Sequence, residues 1–463
     1  MGDQIKTISP STNKVIFETQ GISLRDSQNV VKASTQAFSS WKNVPFSQRK
    51  EVVVKALQLL QKQKNLLAEE LTLQMGRPIA FGTKEIETMQ KRADYLLAIA
   101  EQSLPGQPEA GFRRWIEKEP LGPTLIVFVW NFPYLIIVNS LLPALLAGNT
   151  LVLKPSPQTP LVGNRIAEIF SQAGLPKDVL QVIHSGNQET LKSIVQFPDI
   201  KLISFVGSTE GGRMLRENTA SRFVPVNLEL GGNDPAYIRP DADLKYVAEQ
   251  VVDGAVFNSG QSCCAIERVY VHEDVHEDFL KGVQKELAQY KLGDPSDKSV
   301  NVGPVISRAA QASVNAQIQD ALTKGALNVT PENPSFANPP ADGNYVVPTI
   351  LTDVNHDMVV MQEETFGPVI PIMKVESDDE AVKWMNTSDH GLTASVWTKD
   401  LVAGEKLLKQ LEAGTVFINR CDYPNPDLAW TGWKNSGMGH TLGPRAFDPF
   451  YKLKSYHIRE NQG

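Results

Sequence analysis

From Leu121 onward, short apolar runs alternate with longer segments whose apolar positions recur every three to four residues. Runs of four to six β-branched and apolar residues suit buried strands, and the intervening periodicity suits helices. This pattern predicts strands at 124–129, 150–154, 179–183, 201–206, 224–230 and 236–238, with helices at 134–146, 161–173, 188–196, 210–220 and 244–257. A second series follows: strand 269–271, helices 276–290 and 307–324, strands 345–351 and 369–375, helix 379–386, strand 394–398, helix 401–411 and strand 415–418. Strand, loop and helix in regular alternation imply parallel sheets with crossover helices, hence two α/β units.

The N-terminal third reads differently. Residues 7–19 suit a turn and strand, 23–41 an amphipathic helix, and 47–70, 86–102 and the segment between them further helices. Residues 111–119 alternate large and charged side chains, as an extended arm does. The stretch 124–148 is apolar enough to suggest a membrane span. Asn131, Pro133, Asn139 and Pro143 interrupt it, and no transmembrane helix is expected.

The 463 residues, 41% hydrophobic and 21% charged, are ordinary for a globular chain of two or three domains. A formal charge of −7 argues against nucleic-acid or anionic-membrane partners and leaves small-molecule chemistry. Cys263, Cys264 and Cys421 are too few for a disulfide scaffold, and their spacing suits no zinc site. A reducing, cytoplasmic setting without a structural metal is expected, since the N-terminus lacks the features of a secretory signal.

Chemistry concentrates at predicted strand ends. Asn131, Lys154, Gly186, Gly207, Ser208 and Glu229 all fall there, where open α/β sheets bind ligands. Glu229 closes an apolar strand and is followed by Gly231-Gly232; a buried carboxylate in that position is a candidate base. Cys263 follows Gly260-Gln261-Ser262, a turn able to present a thiol. The run Phe205-Val-Gly207-Ser208-Thr-Glu-Gly-Gly212 leads a strand into a glycine- and hydroxyl-rich helix start, which suits phosphate. No G-x-G-x-x-G fingerprint follows a strand, and Gly437-Met-Gly439 matches it only in part.

Leu228-Glu229-Leu-Gly-Gly232, with Gly260-Gln-Ser-Cys263 following its glutamate by 34 residues, resembles the two signatures of the NAD(P)-dependent aldehyde dehydrogenase superfamily. The resemblance implies two Rossmann-like α/β domains and a small β oligomerisation arm. Residues 1–105 and 119–230 would bind the dinucleotide, 231–440 would be catalytic, and 106–118 with 441–463 would assemble a homodimer or homotetramer, burying Leu453 and Tyr456. It further implies Cys263 as nucleophile, Glu229 as base and Asn131, in Trp130-Asn-Phe-Pro133, as oxyanion donor.

For the cofactor, NAD or NADP, the same likeness implies Trp130, Lys154, Gly186, Gly207, Ser208, Gly212, Glu364 and Phe366, the last two within Glu364-Thr-Phe-Gly-Pro368. Pro157 stands where many NAD-preferring members carry a ribose-binding glutamate, so NADP is not excluded. The substrate would be a small aldehyde, met by Tyr134, Asn139, Phe257, Arg420 and Tyr423. Succinate-semialdehyde members carry an arginine where this chain has Asn139, which weakens a semialdehyde reading unless Arg420 supplies the charge. A CoA-acylating dehydrogenase and a structural protein on this fold are the alternatives.

Overall fold

The computed structural model describes residues 2–104, 108–109 and 113–458. A six-stranded sheet runs in the order Gly437–Met438, Val226–Glu229, Leu202–Val206, Thr124–Val127, Leu151–Lys154, Leu180–Val182. All its neighbours are parallel except the first pair. The register sets Val127 beside Lys154 and Val206 beside Glu229, so the chemically interesting side chains reach one edge of the sheet together. A seven-stranded sheet follows the order Leu327–Asn328, Thr349–Thr352, Val369–Val375, Ile266–His272, Asp234–Ile238, Thr393–Trp397, Thr415–Ile418. It is parallel apart from the Leu327–Asn328 edge.

The central strands of both sheets are buried on both faces, which explains their unbroken apolar runs. The partial glycine motif at 437–439 proves to be an edge strand against Leu228 and Glu229, not a phosphate turn.

The apolar stretch 124–148 resolves into a buried strand and the helix Pro133–Ala147. Pro133 sits in the helix's first turn, where its missing N–H costs nothing, and Gly148 ends it at φ +99°. Thirteen of the fifteen residues are buried, so the hydropathy records a core helix. Among the described residues no helix is long and apolar enough to cross a membrane.

The expected helix 47–70 is two helices, Phe46–Lys62 and Lys64–Met75, and the second ends on Gly76 at φ +77°. Pro78 then bars helix at Arg77, and a new helix runs Ile79–Ser103.

A small antiparallel sheet joins Tyr451–Ile458 to Arg113–Pro120 and the latter to Pro108–Glu109. Trp115 and Tyr456 stack across it with ring centroids 4.6 Å apart. Leu453 is 63% exposed in the single chain. The remaining residues of 106–118 and 459–463 lie outside the described residues.

Candidate active site

The loop bearing Cys263 is held by an unusual backbone. After the helix Leu244–Val256, Asn258, Ser259 and Gly260 all have positive φ, and a Cβ on Gly260 would lie 2.2 Å from the Gly367 carbonyl oxygen. Side-chain hydrogen bonds sustain this conformation. Gln261 Nε2 donates to the Asn258 carbonyl at 3.0 Å, and the Ile306 N–H donates to Gln261 Oε1 at 2.7 Å. The Gln261 carbonyl in turn accepts from Asn258 Nδ2 at 3.2 Å and Asn131 Nδ2 at 3.1 Å. Both Cys263 and Cys264 line a cavity, but Cys264 is buried against Leu392, Trp430 and Leu442, whereas Cys263 is only partly buried.

That cavity, of about 280 Å³, is lined by both Cys263 and Glu229. The two come from different units of the chain. Glu229 sits at the carboxyl end of its strand, and Thr441 Oγ1 donates to its Oε1 at 2.6 Å. Burial raises the Glu229 pKa, against the Thr441 hydrogen bond and the charge of Arg92. The Cys263 thiol is pushed well above its ordinary value by the neighbouring Cys264 side chain and by burial. A thiol so placed needs a base to ionise it, and the cavity contains one with a raised pKa.

Phe257 and Tyr423 line the cavity as expected, and so does Asn139. Tyr134 does not. The cavity face of Pro133–Ala147 and its leading residue is Phe132, Leu135, Ile136 and Asn139, a helical i, i+3, i+4, i+7 stripe. Tyr134 projects from the opposite side into the core with Leu57, Leu141 and Phe170. Arg420 does not line the cavity: its guanidinium lies 4.0 Å from the Tyr423 ring centroid, in an adjoining groove that shares Tyr423, Pro424 and Trp430 with it. Asn131 is buried behind the Cys263 loop, bonded to it and not among the cavity-lining residues. Its amide nitrogen keeps a second N–H beyond the one given to Gln261.

On the other side of the cysteine loop stand the residues expected to hold a dinucleotide. Lys154 is buried at the end of its strand with no hydrogen-bond partner for its ammonium among the described residues, and burial lowers its pKa to about 8. Ser208 caps the helix Thr209–Thr219, accepting the Gly211 N–H at 3.2 Å. Gly212 is required by packing, since a Cβ there would lie 2.7 Å from Leu230, and Gly207 by the Phe205 ring at 2.6 Å. Gly186 faces Asp3 and Ile5. Glu364 bends over the paired glycines, its Oε1 accepting the Gly232 N–H at 3.1 Å, and burial raises its pKa to about 7. Trp130 and Phe366 meet edge to face at 5.8 Å. An unpaired buried cation, a capped helix start and an aromatic pair along one set of strand ends fit a nicotinamide dinucleotide.

A helix is expected over 86–102 and is observed at Ile79–Ser103, but the sequence reading assigns Arg77, Glu85 and Arg92 no place at the site. Arg77, just before it, is fully buried and spends its donors on Glu85, the Asn131 carbonyl and Asn258 Oδ1. Glu85 accepts the Tyr134 and Leu135 N–H groups at 2.8 and 3.1 Å, capping the next helix. Arg92, buried one heptad later, donates from Nη1 to the Leu135 carbonyl and Asn139 Oδ1, both at 3.1 Å. Charged residues at i and i+7 on the apolar face of an amphipathic helix were the available signal.

Comparison with known proteins places the chain in a family. The family model for the aldehyde dehydrogenase family matches residues 1–456, and the chain belongs to that family. A 3,6-anhydro-alpha-L-galactose dehydrogenase of Streptomyces coelicolor is 29% identical, over 98% of this chain and 93% of the relative. Among solved structures, an NAD-dependent aldehyde dehydrogenase from Sinorhizobium meliloti superposes with a TM-score of 0.93 at 29% identity, covering 98% of this chain and 91% of that one. An NADP-dependent glyceraldehyde-3-phosphate dehydrogenase from Bacillus halodurans, complexed with NADP, gives 0.91 at 30% identity, covering 99% and 96%.

Proposed function

We propose that the protein oxidises an aldehyde to its carboxylic acid with NAD or NADP, through a covalent intermediate on Cys263. The observation that carries the reading is the shared cavity: a thiol and a carboxylate 34 residues apart line one pocket beside the strand ends that suit a dinucleotide. Cys263 Sγ adds to the aldehyde carbon, forming a C–S bond while the carbonyl oxygen takes up charge. The second N–H of Asn131 and the Cys263 backbone N–H serve as donors to that oxygen. Lys154, Ser208, Glu364 and the Trp130–Phe366 pair would hold the dinucleotide. When bound, it supplies the hydride acceptor that takes the Cys263 adduct to the oxidation level of a thioester. Glu229 then removes a proton from water, which adds to the acyl carbon, and the C–S bond breaks to return the thiol and release the acid.

Glu229 also distinguishes this reading from CoA-dependent acyl transfer, which needs no base for water. Incubation with a panel of aldehydes and each dinucleotide, following reduced-cofactor absorbance, tests it. Acid formation without CoA is expected, and Cys263→Ala should abolish it. Retained turnover in that variant would refute the scheme.

A further inference from the structure

Within the cavity, Arg92 stands out because it has no ion pair among the described residues; Glu229 acts on its charge only from longer range. Its side chain is 3% exposed, and Nη1 is committed to the Leu135 carbonyl and to Asn139 Oδ1. Nε and Nη2 have no hydrogen-bond partner among the described residues, and no carboxylate there lies within ion-pair distance of the guanidinium. Arg77, lining the same cavity, is the contrast: every one of its nitrogens is bonded and Glu85 neutralises it. A buried guanidinium with two nitrogens unbonded and no contact ion pair is costly, so it marks a place where a ligand completes the pair.

The surroundings specify the ligand. Asn139 gives its oxygen to Arg92, and its Nδ2 has no partner among the described residues, so the two side chains together present N–H donors and no free acceptor. A planar guanidinium edge matches a carboxylate's two oxygens. The wall around it is apolar, with Phe132, Leu135, Phe257 and Trp430. Other ionisable groups also face the space. Lys84 and Asp253 are exposed at the rim, Glu229 is the base, and burial raises the Asp422 pKa to about 7. Of the two buried guanidiniums lining the cavity, Arg77 is paired with Glu85 and Arg92 has no contact ion pair among the described residues.

We propose that Arg92, oriented by Asn139, binds the distal carboxylate of the substrate, which makes the preferred substrate an aldehyde carrying a carboxylate at its far end on a short apolar spacer. This rests on the aldehyde-oxidising reading above and deepens it. The arginine comes from a helix remote in sequence from the position where Asn139 appeared to leave the site uncharged.

The test compares kcat/KM for a five-carbon ω-carboxy aldehyde and for its methyl ester, in the wild type, Arg92→Lys and Arg92→Gln, with binding of the five-carbon dicarboxylate measured calorimetrically in each. The wild type should favour the acid over the ester, and Arg92→Gln should lower that ratio roughly ten- to hundredfold, the range for losing a charge-assisted hydrogen bond, while weakening the dicarboxylate in parallel. Arg92→Lys should fall between. A wild type indifferent to the charge, or a ratio unchanged by Arg92→Gln, would overturn the proposal, as would a wild type preferring a phosphorylated or polyhydroxy aldehyde of like size. If Arg92→Gln does not fold, the wild-type ratio and Arg92→Lys decide alone. Failure to oxidise any aldehyde would instead refute the proposed function, and the dicarboxylate measurement keeps the two outcomes apart.

Discussion

Asn131 and Gln261, 130 residues apart, are joined by a 3.1 Å hydrogen bond from the Asn131 amide to the Gln261 carbonyl. The bond ties the end of one sheet's strand to the loop that carries the thiol, so Asn131 serves that loop's shape as well as the proposed oxyanion. Asn131→Ala is expected to lower kcat by roughly two to three orders of magnitude. Asn131→Asp should do no better, because a carboxylate offers the Gln261 carbonyl no donor. Steady-state kinetics with melting curves checks both: kcat should fall further than any loss of stability explains.

Glu229 should reveal itself in pH profiles. Burial raises its pKa, so the deprotonated base forms only as pH climbs above the ordinary carboxylate range, and acyl-enzyme hydrolysis should rise with pH on the acidic limb. Glu229→Gln is expected to slow that step by roughly 10²- to 10⁴-fold and to leave a pre-steady-state burst of reduced cofactor. A variant with neither burst nor turnover would assign Glu229 to thiol activation instead.

Asp234 and Glu267, both buried, and the partly buried Glu364 form a second group of carboxyls around the cysteine loop. Burial raises Asp234 from 3.8 to about 8 and Glu364 from 4.5 to about 7, and drives Glu267 upward although it accepts the Thr365 and Phe366 N–H groups. A carboxyl whose folded pKa is raised contributes stability below its unfolded pKa and loses it as pH rises through the folded value. For Glu364 the loss should develop between pH 4.5 and about 7. Buried histidines such as His356 oppose this below pH 6.5, so the comparison should be between proteins. The stability of cofactor-free wild type relative to Glu364→Gln should fall across that window in chemical denaturation, and a flat difference would remove Glu364 from the account.

Tyr134 offers a contrast. Its hydroxyl is buried without a hydrogen-bond partner among the described residues and it points away from the cavity. Tyr134→Phe is expected to keep kcat and KM and to stabilise the fold by about 1 kcal/mol, since an unsatisfied group is removed. A changed KM would show that the cavity extends around the helix.

How far the sequence could be read depended on what each feature requires. Strands such as Val369–Val375 and Thr415–Ile418 follow from local apolar runs, and the expected bounds coincide with those observed. Cys263 and Glu229 are marked by the glycines beside them. Arg92, by contrast, sits on a helix whose register says only that one face is buried, and nothing local shows that this face borders a cavity. Tyr134 and Asn139 lie five residues apart on one helix, so they cannot share a face, and the Phe132–Leu135–Asn139 spacing was sufficient to separate them. Arg420 was placed by its nearness to a motif; its stacking on Tyr423 is a tertiary contact that spacing does not encode.

The central claim is that the acyl group passes through Cys263. Intact-protein mass spectrometry of Glu229→Gln, quenched after mixing with an aldehyde and NAD or NADP, tests it most directly. The account predicts an adduct of one acyl group, mapped to Cys263 after digestion and absent from the Glu229→Gln, Cys263→Ala double variant. An acyl adduct on Cys264, or acid formation in the double variant, would contradict it.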